Sequence, residues 1–562
     1  MRVFKETEGN GAIAILLPED RNCRFDRLQE SIFNALVHFG IPFRVFTKDQ
    51  LEAKWDEVSR LPLIFVPQSG VMASLPASLS DKLFSAVADD GLGLLCYENN
   101  SDGFPSQFLE NCTIGNLRPT FSSLITKSNG HFITWLRDNG EVVKSDLGIQ
   151  CFGITEIGKE AILENEYGDS LVLCKNIGKG RLTVFPFSSD LFCMDAVGHA
   201  CGADDLFTRS IIWTARKPFF TWSMPHYAGL MVDDCSGSIN HFRYIDMMNN
   251  AGWLPTIQIF TATIDEVSHE DTNMGKHFLQ RKCSSGEAEV NFHGIRYNES
   301  FCFNHPEGRP LSEKDLRLNF ALWDYYEKAL GVKNTCWAHP HFGEITSGAL
   351  KYYIDRGIQF ITYLLPFDAA WFDVPGKFAP IPPMKPFGHA GFFMQEDESH
   401  PGLWLCDCVL DRKNRKSTEY VSNTDYLWGH TPFWDESPEP LLEESIQLLV
   451  KQVRRGIDSG FYGNGGTHEE RIATLRDSEL NYLYTEAAKR LSRYNLCNKK
   501  LSQCLQIEKK HCSTVIKSLS FEENGSLRIS MSSSEAIGTE GQIWNEGMDS
   551  IPVIITAQNG II

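Results

Sequence analysis

Adjacent carboxylates at Asp233-Asp234 and imidazoles at His293, His305, His339, His341 and His468 are the residues of this chain best suited to chemistry. They fall in five short segments: Met-Val-Asp-Asp-Cys-Ser-Gly at 231–237, Val-Asn-Phe-His at 290–293, His-Pro-Glu-Gly-Arg-Pro-Leu-Ser at 305–312, His-Pro-His-Phe-Gly-Glu at 339–344 and Gly-Gly-Thr-His-Glu-Glu at 465–470. Each sits at or just after an apolar run that reads as a strand. Neighbouring ionised carboxylates repel and need a cation or hydrogen-bond donors. On an extended strand they point to different sides, so one can bind a metal while the other takes a proton. Neutral imidazole nitrogens with one carboxylate form the usual open site of a catalytic divalent metal, zinc foremost. His339 and His341 alternate along an extended segment and can face one cleft. His468-Glu469 follows Gly463, Gly465 and Gly466, which let backbone approach a ligand closely. Taken singly, the aspartate pair also reads as a helix cap with a solvated turn, and His293 as an ordinary core histidine. The set as a whole suits a hydrolase in which a metal and two proton-transfer groups act on one carbonyl carbon.

The elements that must position these groups lie in two α/β series. Ala12–Leu17, Phe43–Phe46, Leu63–Val66 and Leu92–Tyr97 read as buried strands. Between the first two lies an amphipathic helical stretch over 24–38, with Phe25, Leu28, Ile32, Phe33, Leu36 and Val37 on one face. Such alternation predicts a parallel sheet covered on both sides, in a domain over 1–217. Asp204–Trp213 reads as its closing helix, with Pro218 disfavouring helix at Lys217. A second series runs over 218–495, with strands at 228–233, 254–260, 288–293, 335–338, 358–365, 403–410 and 460–464. Ser312 is placed to cap a helix whose apolar face is Leu316, Phe320, Trp323 and Leu330 and which ends at Gly331. Strand–helix units in this number suggest a deformed β/α barrel with functional groups at strand C-termini. Residues 496–562 read as a small β appendage, with a type I′ hairpin turn at Asn524-Gly525.

The N-terminal series resembles the flavodoxin-like, glutamine-amidotransferase-like domains fused to carbohydrate-active hydrolases. Its Cys96 lacks the glycine-flanked turn of an activated nucleophile, so the domain is expected to be a scaffold, with His199 as the only obvious late imidazole. The second series resembles the polysaccharide deacetylase family, also called the NodB homology domain. Asp233-Asp234 stands where that family has its paired aspartates. His305-Pro306 with Leu311-Ser312 matches its second motif, and His339-Pro340-His341-Phe342-Gly343 its third, with histidine for arginine at 339. Asp368-Ala-Ala-Trp371 matches the fourth loosely, and Thr467-His468-Glu469 the last. The resemblance implies Asp233 as general base and Asp234, His293 and His305 as metal ligands, with eight extra residues between the histidines. It also implies His468 as general acid, and His339, His341, Trp371 and Glu469 along the substrate.

Composition narrows the partners. A net charge of −19 over 562 residues argues against nucleic acid, whose binding rests on Lys and Arg. The apolar run at 12–18 is too short to cross a membrane and lacks a signal-peptide cleavage pattern, so a cytoplasmic protein is expected. Sixteen cysteines without paired spacing read as buried thiols. The expected activity is therefore metal-dependent removal of an N-acetyl or O-acyl group from a carbohydrate, with a homo-oligomer left open. Two alternatives stand beside it. One is a glycosidase on the same barrel using Asp407, Asp411 or Glu469. The other is a carbohydrate-binding protein that has lost its site.

Overall fold

The computed structural model describes residues 6–556 apart from 19–24, 194, 200, 223–225, 238–239, 263–268, 298, 305–306, 308, 342–344, 364–393, 397–398, 408–424, 428–441 and 534–537. It is a mixed α/β structure built on parallel sheets. The first is six-stranded, in the order Phe43–Thr47, Ile13–Leu17, Leu63–Val66, Gly93–Tyr97, Gly180–Phe185, Leu173–Ile177. Only the last of these runs antiparallel. Its apolar residues alternate between two cores, as strand periodicity requires. Ile13, Ile15, Leu17, Phe65 and Tyr97 face one, with Leu28, Ile32 and Leu36. Ala14, Leu16, Ile64, Val66 and Cys96 face the other, with Leu79 and Leu83. Within the stretch 24–38, Phe25 and Val37 are exposed while Leu28, Ile32, Phe33 and Leu36 are buried. A π-helical turn at Gln29–Phe33 shifts the register of the face and carries those two outward.

Cys96 and His199 do not meet. Cys96 is packed in the core beside Leu79 and Leu83, where burial pushes its thiol well above its ordinary pKa. His199 stacks on Phe192, a residue of the opposite core, and is held by Asp204 at 2.5 Å.

In the second region, Glu289–Gly294, Pro255–Phe260, Tyr227–Cys235 and Gly463–His468 lie side by side, all parallel, and Cys497–Asn498 joins Tyr227–Cys235. A four-stranded sheet follows, ordered Trp337–Ala338, Phe360–Tyr363, Trp404–Asp407, Met394–Glu396. The two adjoin where the Thr335 amide donates to the Val290 carbonyl at 3.2 Å. Among the described residues the strands form these two sheets and not one continuous barrel ladder. Ala228, Leu230 and Val232 pack outward against helices, including Leu442–Asp458 and Asp477–Arg490. Tyr227 and Met231 point the other way, into a core with Trp337, Phe360 and Trp404 that is closed below by Leu501 and Leu505.

The helix expected from Ser312 spans Glu313–Leu330. The Ser312 hydroxyl accepts from the Asp315 amide at 3.2 Å, and Gly331 (φ 67°) ends the helix. Residues 99–177, irregular in the sequence, contain a long antiparallel pair, Cys112–Thr126 with Val142–Glu156. The C-terminal strands are tied into the rest of the chain: Gly538–Trp544 pairs with Phe219–Trp222, and the Gly11 amide donates to the Leu519 carbonyl. The turn joining Thr514–Phe521 to Leu527–Ser533 has Gly525 at φ 79°, while Asn524 stays out of that region. It is thus a wider turn than type I′, which needs positive φ at both residues.

Candidate metal centre

The strand Tyr227–Cys235 sets the geometry of its own carboxylates. Alternation from Met231 sends Asp233 toward the inner core, and an unbroken strand would send Asp234 to the helices. Instead Asp234 adopts φ 53°, and the pairing with Pro255–Phe260 slips between Val232 and Cys235. A bulge of this kind re-aims a side chain. Both carboxylates consequently reach one atom: Nε2 of His293 lies 3.0 Å from Asp233 Oδ1 and 3.3 Å from Asp234 Oδ1.

His293 stands at the inner face of Glu289–Gly294, only 2% exposed. Its Nδ1 lies 2.6 Å from the carbonyl of His339, which can only accept, so Nδ1 carries a proton. Nε2 then faces two carboxylates and also Nδ1 of His341, 2.9 Å away. His341 Nδ1 is 3.2 Å from Asp234 Oδ1. His339 runs parallel to His293, its ring centroid 5.6 Å off, with Nε2 3.8 Å from Asp233 Oδ2. Phe260 edges against His341 at 4.9 Å and seals that side.

Two sets of three converge closely enough to hold a metal ion: Asp234, His293 and His341, and Asp233, His293 and His339. Burial opposes ionisation of Asp234, but hydrogen bonds from His293 and His341 hold its carboxyl far below the usual range. Burial likewise opposes the charged form of His293, but Asp233, Asp234 and the His339 carbonyl together outweigh it and raise the pKa. Burial pushes His339 down to about 4. One carboxylate and two imidazoles in each set form a donor group suited to a divalent cation.

His468, at the end of Gly463–His468, is 23% exposed on its side chain, so it reaches solvent where His293 does not. Its Nε2 is 3.9 Å from Asp234 Oδ2, and its Nδ1 donates to Oδ2 of Asp425 at 2.6 Å. Asp425 is fully buried and also accepts from the Thr467 hydroxyl at 2.7 Å and the Leu427 amide at 2.8 Å, with Arg471 Nε 3.0 Å away. Burial disfavours the imidazolium of His468, yet Asp425, joined by the charges of Asp234 and Asp233, pushes its pKa up to about 10. Nothing in the sequence around Asp425 marks it; the pairing of the Tyr426 amide with the Gly466 carbonyl and the bond from the Thr467 hydroxyl bring it beside His468.

Other expected site residues are placed differently. Glu469 is 1% exposed and turned inward. Its Oε2 accepts from the amides of Ser236 (2.7 Å) and Gly237 (3.1 Å), and its Oε1 from the Tyr244 hydroxyl (3.0 Å). It braces the turn after the aspartates. Gly463 and Gly465 serve packing and not a ligand: a Cβ on Gly465 would meet Leu449 Cδ1 at 2.3 Å, and one on Gly463 would meet Val453 Cγ1 at 2.6 Å. His305, Trp371 and Asp411 lie outside the described residues, and of Asp407 only its place at the end of Trp404–Asp407 is described.

No family model matches this chain, and no curated protein does. Solved structures align with parts of this chain at low TM-scores. A polysaccharide deacetylase from Mycobacterium smegmatis is 12% identical over 51% of this chain and 92% of its own, with a TM-score of 0.34. A family 4 carbohydrate esterase from Streptomyces lividans, in complex with acetate, is 12% identical over 50% and 94%, with a TM-score of 0.27. A β-galactosidase from Bacillus circulans is 10% identical over 33% of this chain, with a TM-score of 0.25, and this chain spans only 30% of its length. No helix among the described residues is long and apolar enough to cross a membrane.

Proposed function

We propose that the chain is a metal-dependent hydrolase that removes an acyl group, most simply N-acetyl, from a carbohydrate. The observation that carries this reading is the convergence of Asp233, Asp234 and His341 on Nε2 of His293 at 2.9–3.3 Å. Asp234, His293 and His341 would hold a divalent cation, zinc by donor type, with His341 at the corner the sequence assigned to His305. Such an ion supplies polarisation of the acyl carbonyl and acidification of water.

The chain's own residues do the rest. Asp233 accepts the proton of the attacking water at Oδ2, the oxygen turned toward His339. His468 donates a proton from Nε2 to the leaving amine, because Asp425 fixes the tautomer and favours the charged ring. The carbohydrate class rests on the order of the deacetylase-like motifs, from Asp233-Asp234 to Thr467-His468. A glycosidase using Glu469 is less well supported, since both its oxygens are engaged by Ser236, Gly237 and Tyr244. Acetate release from a panel of N-acetylated oligosaccharides, with and without chelator, tests the reading. Turnover that chelator abolishes and added metal restores is expected; turnover indifferent to chelator rules it out.

A further inference from the structure

We infer that the centre contains two overlapping metal positions that share His293 and fill one at a time. The second is formed by Asp233, His293 and His339. This inference rests on the metal-dependent reading above and concerns where its ion can sit.

Ligand atoms around a tetrahedral ion with bonds of about 2.0–2.1 Å lie about 3.3 Å apart. The first position meets that spacing closely, with separations of 3.3 Å, 3.2 Å and 2.9 Å among Asp234 Oδ1, His293 Nε2 and His341 Nδ1. In the second, Asp233 Oδ1 is 3.0 Å from His293 Nε2 and its other oxygen, Oδ2, is 3.8 Å from His339 Nε2, so one carboxylate reaches both rings. All three donors of the second set lie within 4.8 Å of one another. Since His293 offers one lone pair at Nε2, its Nδ1 being spent on the His339 carbonyl, the two positions exclude each other.

The second position exists because residue 339 is histidine. An arginine there would present only donors and could orient Asp233 without binding a metal. An ion in the second position takes Asp233 as ligand and removes it as proton acceptor. The second position is therefore an idle register, and the first, through Asp234 and His341 and with the closer spacing, is the working one and the one filled in preference.

Metal content decides the matter. Each protein would be stripped with chelator, reloaded with Zn(II) or Co(II), desalted and analysed for metal per chain, with circular dichroism to verify folding. Wild type and His339→Arg should each bind one ion. Asp234→Asn should be inactive yet still bind one ion, and Asp234→Asn/His339→Arg should bind none. His341→Ala, with and without His339→Arg, repeats the comparison should Asn at 234 fail to fold. An Asp234→Asn and a His341→Ala protein that both fold but bind no ion would overturn the second position alone. A wild type that binds no ion would overturn the metal-dependent reading with it.

Discussion

Nδ1 of His468 and Oδ2 of Asp425 are 2.6 Å apart, an imidazole at a strand end locked to a buried carboxylate 43 residues earlier. The pair gives His468 a fixed tautomer and a raised pKa of about 10, so it stays charged through neutral pH. A general acid works while protonated, so activity should fall as pH rises through its pKa. Asp425→Asn removes the carboxylate that contributes most to that rise, and the alkaline limb of kcat/KM should move to lower pH. The rate at neutral pH should drop about 10²–10⁴-fold, as for loss of a positioned proton-transfer group. An unmoved alkaline limb would mean that His468 is not the acid.

Asp233→Asn separates base from ligand. The first position keeps Asp234, His293 and His341, so metal content should stay at one ion per chain. Turnover should fall by about 10²–10⁴-fold. Full activity in this variant would remove Asp233 from the mechanism.

Much of this centre was legible in the sequence, for identifiable reasons. Asp233-Asp234, His293, His339, His341 and His468 all end or follow short apolar runs, and parallel strands bring such ends to one edge of a sheet. The helix Glu313–Leu330 was equally plain, because cap, apolar face and terminal glycine agreed. Three things were not legible. The bulge at Asp234 has no residue signature, since aspartate is only one of several types that tolerate positive φ. Asp425 reaches His468 through pairing distant in the chain. Glu469 looks like a cleft residue beside His468, but the helix Glu469–Ile472 begins there and turns it under Ser236 and Gly237.

Glu469 should accordingly matter to stability more than to chemistry. Glu469→Ala leaves the Ser236 and Gly237 amides without their acceptor, at a cost of roughly 1–3 kcal/mol each when such groups stay buried. Denaturant unfolding should show the loss, with metal affinity falling as the turn after Asp234 loosens. A variant as stable as wild type would show that the brace is dispensable.

Glu508 predicts a pH dependence of stability. It lies fully buried on the helix Leu501–Cys512, with Oε1 accepting from Cys512 Sγ at 3.3 Å and Oε2 without a hydrogen-bond partner among the described residues. Burial pushes its pKa up to about 8. The unfolded chain ionises near 4.5, so the folded state is the one that holds the proton. Its contribution to stability is therefore complete below pH 4.5 and is lost as pH rises through about 8. Glu508→Gln keeps the acceptor and removes the charge, so it should gain on wild type over that interval, by on the order of a few kcal/mol at its upper end. Equal pH profiles for the two proteins would contradict this.

The divalent cation proposed between Asp234, His293 and His341 can be located by anomalous diffraction at the metal edge, from crystals of the reloaded wild-type protein. One peak is expected, within bonding distance of the Asp234 carboxylate, His293 Nε2 and His341 Nδ1. Reloaded crystals with no peak at His293, or with the peak bonded to His293 but not to Asp234 and His341, would contradict the account.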